Sequence, residues 1–399
     1  MKKYSIRIKR ICIAWATIMA TCNIWAGTHP IDSVLYKVSR NNIALQALVK
    51  NNEADIAAMK ATNSLGATSI DYSPFYAKEV KGVASSEFIV KQDFDFPTLY
   101  AARSQATKAS TKTKEWEYKS MRQEILLNAL QLCLDLVHMN KQITLMTERY
   151  NAALSLSALY EKKMEQGATT ILEMNRIKME MMQTAARIEQ LKAEQKTLEH
   201  SLQALNGDKP IELDCTSYPQ WSEFYADTAF FANYMAHDAT LKRMETQTEV
   251  SKRHIAVSRQ EKLPKLSVGY RRNTSMENAS NGFLVGAAIP LFTGKQKIKE
   301  AKARHEGMKL QLEDTQVQTL NELKKISYNA ASTKRTMNAY NLNVIIEAKI
   351  ALDKAIKNGS ITAVEYFRES DNINENLSEY MKVENKYYKL LAEMQKFTL

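Results

Sequence analysis

Glycine and proline are scarce in this sequence, with 11 glycines and 7 prolines among 399 residues. An all-β sandwich needs a turn about every 8–12 residues, so this shortage argues against that class of protein. Because 45% of the residues are hydrophobic, the composition also differs from that of a disordered chain. The sequence therefore predicts a protein built mainly from long helices.

Cysteine is equally scarce, and only Cys133 and Cys215 lie beyond the amino-terminal segment. Cys133 falls in a helical pattern and Cys215 in a linker, and two such thiols do not make a disulfide framework. We therefore expect both to be unpaired. The six histidines are scattered without metal-ligand spacing, so we expect no metal site and no cofactor.

A large excess of one charge is also missing once the amino terminus is set apart. The formal net charge is +11, but five basic residues lie in the first ten positions and no acidic residue precedes Asp32. The remaining charge is spread over both signs, which gives little support to nucleic-acid binding. We expect no nucleic-acid partner.

The amino terminus has the pattern of a secretory signal peptide over residues 1–26. A basic start is followed by a short apolar stretch that ends on the small residue Ala26. A membrane anchor is one alternative, although a spanning helix needs about 20 apolar residues. A lipoprotein cleaved before Cys22 is another, although Thr21 and its neighbours match the usual lipoprotein signal poorly.

Two separate landmarks indicate an internal duplication. The pattern Gly-x-x-Thr-x-x-Glu-x-x-Arg begins at Gly167 and again at Gly359, and a proline precedes each glycine by nearly the same distance, at Pro97 and Pro290. The two separations agree to within one residue, which short chance matches would not do. We predict a first structural repeat at 27–207, a linker or equatorial segment at 208–222 and a second repeat at 223–399.

Each repeat has the same order of predicted elements, namely a helix, two strands, a very long helix and a second helix. In the first repeat these are a helix at 30–65, two strands within 67–96, a long helix at 97–166 and a helix at 170–206. In the second they are a helix at 223–262, two strands within 264–290, a long helix at 293–358 and a helix at 362–397.

The long helices of the first repeat carry a coiled-coil pattern. Within 125–164 the seam positions are spaced 4, 3, 4, 3 without a break, and only Ser157 departs from the expected residue type. The seam within 174–205 follows the same spacing, with Thr184 and Gln195 as exceptions. Two seams joined by a glycine turn predict an antiparallel helical hairpin.

The turn of each hairpin has a defined chemistry. Glycine tolerates the left-handed conformation that ends a helix. A threonine can then cap the next helix, while a glutamate at the third position closes a capping box, and an arginine three residues later lies within reach of it. The alternative is that these groups are only caps and surface pairs. The residues are Gly167, Thr170, Glu173 and Arg176 in the first repeat and Gly359, Thr362, Glu365 and Arg368 in the second.

The predicted strands alternate between apolar and polar residues. This holds at 87–96, where the polar side carries four charges, and at 265–271 and 283–289. Strands of about ten residues can cross a bilayer obliquely, and no later segment suits a transmembrane helix. Four strands cannot close a barrel, so three copies would have to supply 12. The alternative is a soluble sheet packed on the helices.

The order of elements and two motifs resemble the TolC-like outer membrane factors over residues 30–399. The segment 264–270, Pro-Lys-Leu-Ser-Val-Gly-Tyr, is similar to a strand motif of that family, and 285–294, Val-Gly-Ala-Ala-Ile-Pro-Leu-Phe-Thr-Gly, is similar to its strand-to-helix corner. Asn42 and Gly66 depart from the family pattern at positions where proline is usual.

The resemblance implies a mainly α fold with a small β part. Long antiparallel coiled-coil hairpins would form a tunnel in the periplasm, and four strands per chain would complete a 12-stranded trimeric β-barrel in the outer membrane. Pro97 and Pro290 would mark the corners between barrel and tunnel. The protein would be a passive exit duct of a tripartite efflux pump and not an enzyme. Its partners would be two further copies, outer-membrane lipid, a periplasmic adaptor (membrane fusion) protein and an inner-membrane pump of the RND or ABC type.

The resemblance also implies where such a duct closes. In the family, acidic rings lie three and six residues after the tip threonine of the second repeat. Glu365 matches this pattern, whereas Arg368 does not. We expect Glu365 at the periplasmic constriction, with Arg368 paired to it or to Glu173, and Arg176 nearby. The adaptor would dock on the tip turns at Gly167, Thr170, Gly359 and Thr362.

Two other functions fit the same residues. One is the exit duct of a type I protein-secretion system, and the other, from a different class, is a secreted periplasmic coiled-coil scaffold. Drugs, metal ions and proteins remain open as cargo, as do the identity of the pump and an open or closed resting state.

Overall fold

The computed structural model describes residues 29–78, 80–221, 227–276, 278–290 and 294–399. The predicted signal peptide at 1–26, with Cys22, lies outside the described residues. So do residues 222–226, at the predicted junction of linker and second repeat, and 291–293, within the predicted strand-to-helix corner.

Helices and strands follow one another in two similar series. The first series consists of helices α1 (Pro30–Asn41) and α2 (Ile43–Ala61), strands β1 (Ser69–Phe75) and β2 (Ser85–Phe94), and helices α3 (Pro97–Glu165) and α4 (Ile171–Leu205). The second consists of α5 (Thr228–His237), α6 (Ala239–Gln260), β3 (Lys265–Ser275), β4 (Ala279–Ala288), α7 (Gly294–Ala339), α8 (Leu342–Lys357) and α9 (Ala363–Met394).

Three helices that we expected to be continuous are each interrupted once. The expectation of single helices at 30–65, 223–262 and 293–358 is therefore wrong. In every case a short polar side chain accepts a hydrogen bond from the amide three residues ahead, which starts a new helix. These bonds are Leu45 N–H to Asn42 Oδ1 (3.0 Å), Leu241 N–H to Asp238 Oδ1 (2.8 Å) and Val344 N–H to Asn341 Oδ1 (3.4 Å).

The chain divides into two compact units. Unit A contains the described parts of 1–46, 122–231 and 321–399, and unit B contains those of 47–121 and 232–320. Each unit includes segments of both predicted repeats, so the repeats are not the compact units. The reason is that packing joins helices of different repeats, as where Lys141 of α3 pairs with Glu384 of α9 at 2.7 Å.

The main core of unit A lies where α1, α3, the linker and the end of α9 meet. Its most deeply buried members include Val38, Cys133 and Val137, all fully shielded from solvent. The linker contributes Cys215 and Tyr218 to the same core. Both cysteines of the described chain are free and buried, which confirms that they are unpaired.

A second core of unit A lies near the hairpin tips. It joins residues of α3, α4, α8 and α9, among them Met174, Ile177 and Phe367, which are almost wholly buried. The two seam positions Ser157 and Thr184, which looked out of place in the sequence, are also buried. The seam positions of these helices are buried or half-buried, apart from Met164, which is 40% exposed, and the third polar exception, Gln195, is half-buried.

Unit B contains one antiparallel sheet in the order β1-β2-β3-β4. Directly opposed residues of antiparallel strands share a face, so the register assigns every side chain to one of two faces. What we call the apolar face carries Ile70, Tyr72, Phe88, Val90, Leu266, Val268, Tyr270, Phe283 and Val285. The polar face carries the charged residues Asp71, Glu87, Lys91, Asp93, Lys265 and Arg271.

None of the helices in the described ranges combines the length and the hydropathy that crossing a membrane requires.

Candidate functional site

The tip turns of the two hairpins have almost the same geometry. Gly167 and Gly359 adopt left-handed conformations, with φ of 69° and 70°, which is where glycine has no steric penalty. Both predicted capping boxes are present. Glu173 N–H donates to Thr170 Oγ1 and Glu365 N–H donates to Thr362 Oγ1, each at 3.2 Å. The repeated sequence pattern thus encodes the same helix start twice.

The hydrogen bond of the capping box in which the glutamate side chain accepts the threonine N–H is shorter at the second tip. The Glu365 carboxylate accepts the Thr362 N–H at 2.8 Å and its hydroxyl at 2.9 Å. At the first tip the corresponding bond from the Thr170 N–H to Glu173 is 3.5 Å long. The amide and hydroxyl of Thr362, helped by the charge of Arg368, lower the pKa of Glu365 below its ordinary value.

Protonation of Glu365 should therefore loosen the second tip. Because its folded-state pKa is lowered, the carboxylate contributes stability above the ordinary glutamate pKa, and this is lost as the pH falls through the lowered value. We expect hydrogen exchange of the Thr362 amide, corrected for its intrinsic rate, to accelerate below about pH 4. Glu365→Gln should remove most of this pH dependence, and protection that stays constant over the whole acidic range in which the unaltered protein remains folded would contradict the prediction.

The tip arginines do not pair with the glutamates that we expected. Arg368 Nη2 lies 3.1 Å from Glu369 Oε1, and Arg176 Nη2 lies 3.5 Å from Asp371 Oδ2. Within one chain, therefore, neither arginine forms an ion pair with Glu365 or Glu173, and the pairing of Arg368 in an assembled ring stays a prediction. The physical reason is that both glutamates turn back to their own helix start, which directs them away from the next turn.

A buried ion cluster lies behind the tips, and sequence reasoning missed it. Arg149 of α3 makes close ion pairs with Glu180 of α4 and Asp371 of α9, and the Glu180 side chain is only 1% exposed. Thr184 donates to Glu180 Oε1 at 3.2 Å. The polar exception Thr184 in an apolar seam, one turn after Glu180, was the available signal.

The carboxylates of this cluster stabilise the charge of its central arginine. Burial alone would lower the pKa of Arg149, but the carboxylates of Glu180 and Asp371 outweigh that effect and raise it. Arg149 is a cation, as arginine always is in proteins, and it joins α3, α4 and α9 through its two carboxylate partners.

A groove of about 600 Å³ lies between α8 and α9 beside the second tip. Small apolar residues such as Ala348 and Ala351 line one side of it, and the charged residues Glu365, Arg368 and Glu369 line the other. The predicted constriction residues of the second repeat therefore border a concave surface with an apolar side.

The two prolines predicted at corners lie next to strand ends. Pro97 is the first residue of α3, three residues after β2, at a helix position where proline fits because an N–H there would have no acceptor within the helix. Pro290 lies two residues after the end of β4. Next to Pro97, Asp95 accepts a charged hydrogen bond of 2.7 Å from Arg103, which ties the end of β2 to α3.

The apolar face of the sheet is widely exposed. Phe283 and Val285 are 90% and 82% exposed, and Ile70 and Tyr72 are also well over half exposed. A contiguous apolar surface of this kind marks a contact with another protein or with lipid. The polar face, by contrast, carries charged, hydroxyl and amide side chains together with the apolar residues Phe75, Ile89 and Leu284, and Arg271 there forms a close ion pair with Glu87.

Several solved structures share this architecture. The outer membrane protein VceC of Vibrio cholerae matches with a TM-score of 0.73 and 14% identity over 92% of this chain and 95% of that chain. The open-state MtrE outer membrane channel of Neisseria gonorrhoeae matches with a TM-score of 0.74 and 12% identity over 92% of this chain and 88% of that chain. The CmeC outer membrane channel of Campylobacter jejuni matches with a TM-score of 0.69 and 14% identity over 92% of this chain and 85% of that chain.

No protein-family model matches the chain, and no curated protein matches it in sequence. The likeness to the solved channels at these low identities therefore concerns the fold, and it extends over nearly the whole length of both partners. Together with the duplicated hairpins and the four-stranded sheet, it shows that this chain has the TolC-like outer membrane factor fold.

Proposed function

We propose that the protein is an outer-membrane channel that serves as the passive exit duct of an efflux system. The observation that carries the proposal is the sheet, which has one exposed apolar face and one polar face and belongs to a chain with the fold of outer membrane channels. An apolar exterior and a polar interior are what a membrane-spanning sheet requires. The protein is then a conduit and not an enzyme.

The open edges of the sheet support assembly from three copies. Within the described residues, β1 and β4 pair on one side only. Unpaired strand edges are unfavourable in lipid, where backbone groups find no water, and closing the sheet removes them. If β4 of each copy pairs with β1 of the next, three copies give a closed barrel of 12 strands. We propose this homotrimer, embedded in outer-membrane lipid.

The helical hairpins would then form the periplasmic part of the duct. Their tips expose Leu172 and Val364 and carry the apolar groove beside Glu365, which suits docking of a periplasmic adaptor protein. We propose that the adaptor contacts the turns at Gly167, Thr170, Gly359 and Thr362. An inner-membrane pump of the RND or ABC type would supply the energy.

We place the constriction at the tips as well. Glu365 and Arg368 are both exposed, so neither is committed to the interior of its own chain. Three copies of each would form a mixed ring of both signs, and Glu173 and Arg176 would lie at the neighbouring tips. A mixed ring discriminates less between cations and anions than an all-acidic one, because ring charge determines which ions enter.

Replacing Arg368 by aspartate should make the channel prefer cations. The change converts three positive charges into three negative ones next to Glu365, so we expect the cation-to-anion permeability ratio in planar bilayers to rise about twofold or more in dilute salt. The effect should fade in about 1 M salt, where charges are screened within about 3 Å. An ion preference equal to that of the unaltered protein would refute the mixed ring.

The function itself can be tested by extraction and reconstitution. We expect the protein in the outer-membrane fraction, as a trimer by mass measurement in detergent, and we expect it to form ion-conducting pores in planar bilayers. A secreted coiled-coil scaffold would instead be water-soluble, monomeric and non-conducting. Crosslinking from a reactive group placed at Thr362 would identify the adaptor, and the same reaction from Thr197, on an arm of the first hairpin, is the control.

A further inference from the structure

The polar face of the sheet carries equal numbers of acidic and basic residues, and some of them form ion pairs. Three acidic and three basic side chains lie on this face, namely Asp71, Glu87, Lys91, Asp93, Lys265 and Arg271. Two of the contacts among them join opposite charges directly. Lys91 Nζ lies 3.2 Å from Asp93 Oδ1, and the guanidinium of Arg271 is in close contact with Glu87.

Glu87 is the most shielded of the four side chains in these two pairs. Side-chain exposure is 19% for Glu87 and 48% for Arg271, against 57% for Asp93 and 37% for Lys91. The pair lies diagonally across two strands, because Glu87 opposes Asn273 and Arg271 opposes Ile89 in the register. Diagonal neighbours on one face are within reach of long side chains.

The pair also borders open, polar space. Glu87 and Arg271 line a groove of about 340 Å³ together with serine and asparagine side chains. On the neighbouring strand Arg271 is opposed by Gly282, which has no side chain to cover the guanidinium. A charge change at Arg271 would therefore be felt by ions in the adjoining water.

We infer that the Glu87–Arg271 pair neutralises the polar face of the sheet, so that Arg271 is a residue that sets the ion preference at this end of the channel. The inference rests on the proposed function, because it takes the polar face to line the pore. Removing Arg271 leaves Glu87 without its counter-charge in each of the three copies. Such a ring of negative charge attracts cations and repels anions.

The chain offers a closely matched control for this test. Arg272 follows Arg271 on the same strand and carries the same charge, but it lies on the apolar face, opposite Phe88. Arg271→Gln and Arg272→Gln therefore make the same chemical change on the two sides of one strand. Only the first should alter the environment of ions in the pore.

The experiment measures reversal potentials of the full-length trimer in planar bilayers, with KCl at about 10 mM on one side and about 100 mM on the other. We expect Arg271→Gln to raise the potassium-to-chloride permeability ratio about twofold or more, and Glu87→Gln to lower it by a similar factor. The double variant Glu87→Gln/Arg271→Gln should return to the original ratio, and Arg272→Gln should not change it. Near 1 M salt all ratios should converge.

Any other result would contradict either the proposed function or the inference about Arg271. If the unaltered protein forms no pore, the proposed function fails and this inference fails with it. If it conducts but Arg271→Gln and Glu87→Gln leave the ratio unchanged, the inference alone fails. A shift for Arg272→Gln without one for Arg271→Gln would mean that the other face lines the pore. If one single variant does not assemble, the opposite sign expected for the other still decides the question.

Discussion

Replacing Arg149 by methionine should lower the free energy of unfolding by about 3–5 kcal/mol. Arg149 is the close ion-pair partner of Glu180, whose side chain is 1% exposed, and the variant would leave this carboxylate buried without that counter-charge. Breaking a buried pair by removing one partner costs far more than the net value of the pair. Denaturant unfolding of the detergent-solubilised protein, followed by its helical circular dichroism, measures the change.

Arg176→Met is the matched control for this prediction. Arg176 belongs to the same cluster, but its nearest carboxylate oxygens lie 3.5 and 3.8 Å away, so its loss should cost about 1 kcal/mol or less. Adding Glu180→Gln to Arg149→Met removes the stranded charge and should recover a large part of the lost stability. Equal costs for the two arginine variants would contradict this account of the cluster.

Replacing Val285 by lysine should prevent stable insertion into the outer membrane. Val285 is 82% exposed on the apolar face, which the proposed function places against lipid. A lysine facing the middle of the bilayer costs about 2–4 kcal/mol, and a trimer would carry three of them. We expect the amount of trimer extracted from the outer-membrane fraction to fall at least about tenfold. A tenfold loss corresponds to about 1.4 kcal/mol, which is less than the expected cost of a single lysine.

The neighbouring residue supplies the control. Leu284 is opposed by Gly269 on the polar face, so Leu284→Lys adds the same side chain to the side proposed to face water. That variant should insert at nearly the level of the unaltered protein. If neither variant inserts, the result shows only that β4 does not tolerate lysine. Normal insertion of Val285→Lys would contradict a lipid-facing apolar face.

Much of the local structure was predictable because it depends on near neighbours in the chain. The capping boxes at Thr170 and Thr362 involve residues three positions apart, and a regular 4-3 spacing identifies a buried helix face without knowledge of its partner. Alternation along a strand likewise predicts that two faces differ in polarity. Both predicted capping boxes are confirmed, and the predicted seams consist of buried and half-buried positions except at Met164.

Where local chemistry was overlooked, the prediction was wrong for a local reason. Asn42, Asp238 and Asn341 each cap a new helix inside a stretch that the hydrophobic pattern made continuous. Their side-chain oxygens compete with backbone carbonyls for the amide three residues ahead. The spacing of apolar residues does not reveal these breaks, because the same helical spacing continues on both sides of each one.

The order of residues was therefore sufficient to predict the helical hairpins, their tip turns and the two-sided character of the strands. The three-dimensional structure was needed to show which side chains meet, for example Arg149 with Glu180 and Asp371, or Glu87 of the first repeat with Arg271 of the second. The physical reason is that these contacts depend on the register between elements far apart in the chain. A shift of one residue in a strand would put Arg272 in the place of Arg271 and exchange the faces of the sheet.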